Sequence, residues 1–167
     1  MKPKALTAPE GAREDVIVFT VGGFHFAISA SAVSEIRSLE GLQIFSPGPE
    51  CQCPEKVGFT MHRKGALYFV VDAARHFRLT ASRPGRVMIL RLAATAVLID
   101  TADRMASISI LHALPLAFNG EERRWYRGLA MFGDDVVPVV NHQGFLSGSE
   151  LAMVRPAAMY AKGVAAV

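Results

Sequence analysis

The chain lacks most of what would assign it a chemistry at sight. It has two cysteines in 167 residues, too few for a disulfide scaffold. Cys51 and Cys53 stand one residue apart, a spacing poor for a routine disulfide and only half of a structural metal's ligand set. No apolar run approaches the roughly 18 residues of a membrane helix; the densest, Ala66–Val71 and Leu92–Ile99, are strand-sized. Lys2 and Lys4 are followed by no apolar stretch, so no signal peptide is read and a cytoplasmic location is expected. Neither charge dominates: 18 basic against 15 acidic residues give a net charge of +3, a weak footprint for nucleic-acid binding, which needs a concentrated basic stripe. Gly-x-Ser-x-Gly, His-Glu-x-x-His and the dinucleotide fingerprint are all absent.

What is present is strand character. Half the residues are hydrophobic (51%) and 20% are charged, the balance of a folded globular chain. Residues 1–14 are polar and read as a flexible leader. Val16–Val21 and Phe24–Ile28 flank Gly22-Gly23, a hairpin signal. Ala32–Arg37 reads as a short helix, with Val33 and Ile36 three apart on one face. Residues 38–56 hold Pro47, Gly48, Pro49 and Pro54 around the cysteines and read as a long loop. Val57–Met61 and Ala66–Val71 form a second hairpin across the polar turn His62-Arg63-Lys64-Gly65, and Asp72 caps a short helix over 73–77. Val87–Leu92 and Ala96–Ile99 form a third hairpin, and Asp100 is read as the cap of a helical turn near Ala102–Met105. After an irregular stretch, Ile108–Gly120, come strands Tyr126–Phe132 and Val136–Val140, the latter placed at a sheet edge because of Pro138. Asn141 opens a last short helix, and residues 148–167 form a tail that is helical in part, interrupted at Pro156.

The pattern occurs twice. Val16 and Val87 open hairpins 71 apart, Gly58 and Gly128 open the next pair 70 apart, and Asp72 and Asn141 follow them 69 apart. Nearly constant offsets imply two copies of one unit. A unit of about 70 residues with four short strands buries little alone, so two copies related by a pseudo-two-fold are expected to share a core within residues 15–147.

This organisation resembles the CheW-like family of chemotaxis coupling proteins over about residues 15–146. The resemblance is carried by Val18-Phe19-Thr20-Val21-Gly22 with Phe26-Ala27-Ile28 and Ala32-Val33-Ser34-Glu35-Ile36-Arg37. Further pieces are Gly58 through Lys64-Gly65 to Val70-Val71-Asp72, then Val97-Leu98-Ile99-Asp100, and Tyr126-Arg127-Gly128 with Val136–Val140. The chain departs from the family pattern at the His62–Gly65 turn, which has one extra residue, so that either Arg63 or Lys64 stands where the family has arginine. Phe69 replaces a proline and Ala96 a glycine, and the third hairpin turn is about two residues shorter. The resemblance implies a mainly β fold of two SH3-like five-stranded barrels and a non-catalytic adaptor without cofactor. Such an adaptor joins the cytoplasmic tip of a chemoreceptor to the regulatory domain of a CheA-type histidine kinase.

By the same resemblance, Val33, Glu35, Ile36, Arg37, Arg63 and Lys64 are the candidate partner-binding residues. Each has a plainer reading. Val33 and Ile36 are apolar residues suited to a core, Glu35 and Arg37 suit a solvated surface, and His62-Arg63-Lys64 suits a solvated turn. Asp72 and Asp100 are read as helix caps rather than a catalytic pair, since no nucleophile or metal accompanies them. The histidines, His25, His62, His76, His112 and His142, have no ligand spacing with the cysteines. Trp125-Tyr126 is read as an anchor of the strand that follows. The alternatives are a small-barrel nucleic-acid binder and a metal enzyme built on loop 38–56.

Overall fold

The computed structural model describes residues 5–7, 12–49, 51–92 and 94–154. Twelve strands follow in chain order: β1 Ala5–Thr7, β2 Glu14–Val21, β3 Phe24–Ser29, β4 Val33–Ser38, β5 Val57–Arg63, β6 Ala66–Asp72, β7 Arg86–Leu90, β8 Thr95–Ile99, β9 Thr101–Ile108, β10 Ile110–His112, β11 Tyr126–Phe132 and β12 Asp135–Val140. Helix α1 is short, Ala73–His76, and residues 148–154 are helical. Pro156 and the rest of the expected tail lie outside the described residues.

The strands form two sheets, ordered β1-β10-β11-β12-β3-β2-β9 and β4-β7-β8-β6-β5. Without β1 and β10 the first has the same plan as the second, and the fold is mainly β with two sheets of the SH3-like barrel type. Each sheet contains one parallel contact, Val139↔Ala27 in the first and Val70↔Ala96 in the second. These pairs match at an offset of 69. Each sheet also mixes the two sequence halves. Hairpin β2–β3 joins β9, β11 and β12, while hairpin β7–β8 joins β4, β5 and β6.

Three cores result. Val16, Val18, Ala130 and Val139 fill the first sheet's concavity, and Met61, Val70, Val87 and Ile89 fill the second's. Between the sheets lies the largest cluster, with Phe19, Phe26, Phe69, Met88, Val97 and Phe145. Central strands therefore bury both faces. Along β7, Val87 and Ile89 enter one core while Met88 and Leu90 enter another. That explains the uninterrupted apolar runs, which a sheet with one wet face does not produce.

Several expectations are corrected. Ala32–Arg37 is not a helix: a 3₁₀ turn, Ala30–Ala32, leads into strand β4. A bulge at Ser34 shifts the register, so that Val33 faces Leu90 and Ile36 faces Met88. Leu90 and Met88 both enter the shared core, so Val33 and Ile36 share a face three residues apart inside a strand. The same device overturns the helical turn after Asp100. Residues 102–105 lie in β9, where the register with β2 shifts at Asp103, 69 positions after Ser34. Asp100 caps no helix; its carboxylate accepts from the Gly22 amide (2.9 Å) and the Ser82 hydroxyl (2.7 Å). Asp72 does cap α1, accepting from the amides of Ala74 and Arg75.

Pro138 lies in an interior strand, not at an edge. It is tolerated because β12 meets β3 through a single register pair, at Val139, so the ladder on that side asks little of the neighbouring donors. Ile108–Gly120 is not wholly irregular, since it contains β10. Part of the expected leader is paired structure, with β1 against β10 and β2 beginning at Glu14. Cys51 and Cys53 are joined as a disulfide with Cα atoms 5.1 Å apart. The loop turns just before the pair, the Cys51 amide donating to the Gly48 carbonyl. Finally, bulges at Gly58 and Arg127 align β5 with β11 at an offset of 69. Gly58 thus matches Arg127, not Gly128.

Candidate partner-binding site

The open edges of the second sheet are β4 and β5. They meet through side chains. Arg63, near the end of β5, forms an ion pair with Glu35 on β4. Arg37 reaches the other carboxylate oxygen of Glu35, at 3.8 Å. The β-bulge orients this group: Val33 and Ile36 face the core shared between the sheets, and Glu35 between them takes the opposite face, on the side of Ile89 and the second sheet's own core. After β4, Leu39, Leu42 and Ile44 pack against the second sheet's core, and Phe45 bridges Thr60 and leaves its own ring half exposed.

The first sheet closes at the corresponding place by different chemistry. Arg104 on β9 and Phe132 on β11 stand 69 positions after Glu35 and Arg63, and the Arg104 guanidinium lies over the Phe132 ring at 5.0 Å. An ion pair in one seam is a cation–π contact in the other. Individual residues did not reveal this pairing; the repeat offset applied to Glu35 and Arg63 would have.

The six candidate residues do not lie in equivalent environments. Val33 is 7% exposed and belongs to the shared core. Ile36 is half-buried against that core. Glu35, Arg37 and Arg63 form the charged cluster at the seam. Lys64 is exposed in the two-residue turn Lys64-Gly65, where both residues have positive φ, 48° and 76°. His62 and Arg63, expected in the turn, belong to β5 instead, because a two-residue turn of this hand leaves them paired with Leu67 and Ala66. The cluster carries two cations, Arg37 and Arg63, on one carboxylate, Glu35, while exposed Lys64 adds a third positive charge in the turn that follows Arg63.

A second polar group sits behind α1. His76 is 3% exposed, packed against the rings of Phe77, Trp125 and Phe145. Lys56 lies 3.3 Å from its Nδ1 and 3.0 Å from the Glu150 carboxylate. An ammonium can only donate, so Nδ1 accepts, and Nε2 is left without a partner among the described residues. Burial, with the charge of Lys56, pushes the imidazole down to about 3 from 6.5. Glu14 is held below the ordinary carboxylate range chiefly by its two hydrogen bonds from Arg127, 2.6 and 3.0 Å. Burial raises the Tyr126 hydroxyl to about 12. Among the described residues no three of His, Cys, Asp or Glu come together as a metal site, and no helix is long and apolar enough to cross a membrane.

The model of the CheW-like domain family matches residues 15–150. The chain belongs to the CheW-like family. Its fold is similar to that of the crystal structure of the scaffolding protein TtCheW from Thermoanaerobacter tengcongensis. The TM-score is 0.69 at 15% identity, covering 88% of this chain and 96% of that one. No curated protein matches the sequence. Family membership makes this CheW-like chain a non-catalytic, scaffold-type protein of chemotaxis systems.

Proposed function

We propose that the chain is a cytoplasmic adaptor that couples the tip of a chemoreceptor to the regulatory domain of a CheA-type histidine kinase. The observation that carries the reading is the seam between β4 and β5. Three of the six candidate residues, Glu35, Arg37 and Arg63, cluster their charges there, exposed Lys64 follows in the next turn, and Ile36 is half-buried on the other face of β4. Val33 contributes from below, as a core residue that holds the strand in place. A charged cluster gives a reversible contact its orientation and on-rate without a large buried area.

Calorimetric titration with a CheA-type regulatory domain and, separately, with a soluble receptor-tip fragment tests this. Saturable binding of at least one of them is expected. Arg37→Glu with Lys64→Glu should weaken it by about tenfold or more while leaving the thermal melt unchanged, because both side chains are exposed. If no partner from the same genome binds, or the double substitution leaves every affinity unchanged, the reading is wrong.

A further inference from the structure

The two cysteines take no part in the seam between β4 and β5, and the disulfide that joins them spans one residue, Gln52. A disulfide stabilises a fold mainly by restricting the unfolded chain, and does so more the longer the loop it closes. This one ties residues that are neighbours in the unfolded chain already, so it contributes little as a staple. The chain has no third cysteine, so the bridge opens and closes without reshuffling. Cys51 and Cys53 are both half-buried: they pack against the shared core and keep part of their surface open to a thiol in solution.

The residues after the bridge are held at every step. The Val57 amide closes a turn on the Pro54 carbonyl (2.9 Å), and the Arg75 guanidinium donates to the Glu55 carbonyl (3.0 Å). The Lys56 carbonyl accepts from the Asp72 amide (2.7 Å), while its ammonium lies between His76 and Glu150. Glu150 belongs to the helical segment 148–154, and its carboxylate also accepts from the Ser147 amide (2.9 Å). Lys56 thus joins the cysteine loop, α1 and the C-terminal helical segment at one point. Pro54, Lys56, His76 and Glu150 wall a cavity of about 240 Å³ together with Trp125. Trp125 is the chain's single tryptophan, and its ring centre lies 4.8 Å from that of His76.

We infer that Cys51–Cys53 is a reversible redox bridge, exchanging with thiols of the glutathione class, whose state sets the hold of Lys56 on the helical segment 148–154. One glutathione thiolate attacks a sulfur of the bridge; the S–S bond breaks, and the other cysteine leaves as a thiolate and takes up a proton. A second glutathione thiolate attacks the mixed disulfide, releasing glutathione disulfide and the second cysteine thiol. Two electrons and two protons pass from two glutathiones to the bridge. Two thiol sulfurs stand at van der Waals distance, so the small ring opens and the backbone around Gln52 regains freedom. The turn at Pro54 and the placement of Lys56 loosen with it, and Glu150 loses its cation. The cytoplasmic location proposed above is what supplies the thiol, and bridges that form in such a compartment are typically transient and redox-sensing.

The test uses the full chain in glutathione buffers graded from oxidised to reduced, without denaturant. Alkylation and mass spectrometry count the free thiols, and Trp125 fluorescence reports on the cavity beside Lys56. Both cysteines are expected to become alkylated in one transition within the series. Fluorescence should change with the same midpoint, and glutathione disulfide should reverse both signals. Cys51→Ser with Cys53→Ser should show the reduced-state fluorescence in every buffer. Lys56→Met should keep the thiol transition and lose the fluorescence change; Glu150→Gln, an amide of the same shape, serves the same purpose if Lys56→Met does not hold its fold. Thiols that appear only in denaturant would make the bridge a structural staple, and cysteines that stay free in oxidised buffer would mean that no bridge forms. A thiol transition that fluorescence does not follow, or a response that both substitutions leave intact, would separate the bridge from Lys56. Each of these results overturns the proposal. All of them come from the purified chain, so they are distinguishable from a failure of the adaptor reading, which the partner titrations decide.

Discussion

At the scale of single residues, burial separates what holds the fold from what is free to bind. Val33 is the sharpest case. A carboxylate at this position would sit in the core with no partner, so Val33→Asp should cost about 3–5 kcal/mol and lower the melting temperature by well over ten degrees, seen by circular dichroism. Lys64→Glu, in an exposed turn, should leave the melt within about two degrees. His76 makes a pH prediction. Its folded pKa, about 3, lies below the ordinary 6.5, so in that interval the unfolded chain holds a proton that the folded one excludes. Stability is then full above 6.5 and falls as the pH drops towards 3, with a slope approaching about 1.4 kcal/mol per pH unit. Urea unfolding between about pH 5 and 6.5, above the range where Glu14 and Glu150 titrate, isolates this group. His76→Phe, whose ring suits the surrounding aromatics, should flatten the profile there; an unchanged slope would assign it to other groups.

At the scale of elements, legibility followed how far local pattern decided the outcome. The Gly22-Gly23 hairpin was readable because that turn demands positive φ, and both glycines have it, 58° and 82°. Their roles still differ. A Cβ on Gly22 would strike the Ala81 carbonyl, whereas one on Gly23 meets open space. Gly23→Ala should therefore cost only the backbone strain, about 1 kcal/mol. Gly22→Ala should cost at least about 1 kcal/mol more and disturb the hydrogen bond that the Gly22 amide donates to the Asp100 carboxylate, both measurable by denaturant titration. Strand β4 was misread because a bulge at Ser34 gives a strand the three-residue apolar spacing of a helix. The bulge is fixed by pairing with β7, some fifty residues away, and nothing local announces it. Residues 102–105 failed for the same reason. Of the candidate site, the charged residues were legible singly, but the Glu35–Arg63 pair was not, since it exists only once the sheet curls and brings its edges together.

At the scale of the whole molecule, the exchange of hairpins makes each half of the sequence structurally incomplete. A fragment of residues 1–83 would contain hairpins β2–β3 and β5–β6 and an isolated β4. The strands that join them, β7 and β8 in one sheet and β9 and β12 in the other, all belong to residues 84–167. Lone two-stranded hairpins are marginal in water, and the shared core draws on both halves, with Phe19, Phe26 and Phe69 from one and Met88, Val97 and Phe145 from the other. Neither fragment should therefore fold alone: near-UV circular dichroism should be featureless and amide proton shifts poorly dispersed. Mixed in equal amounts they should recover the native spectrum, because the cut falls in the irregular linker between α1 and β7 and breaks no strand. The intact chain should correspondingly unfold in one transition by fluorescence and far-UV signal alike. A folded fragment, or two separated transitions, would mean that one sheet is stable without the other half's strands, and that the cooperativity argued from the exchange is absent.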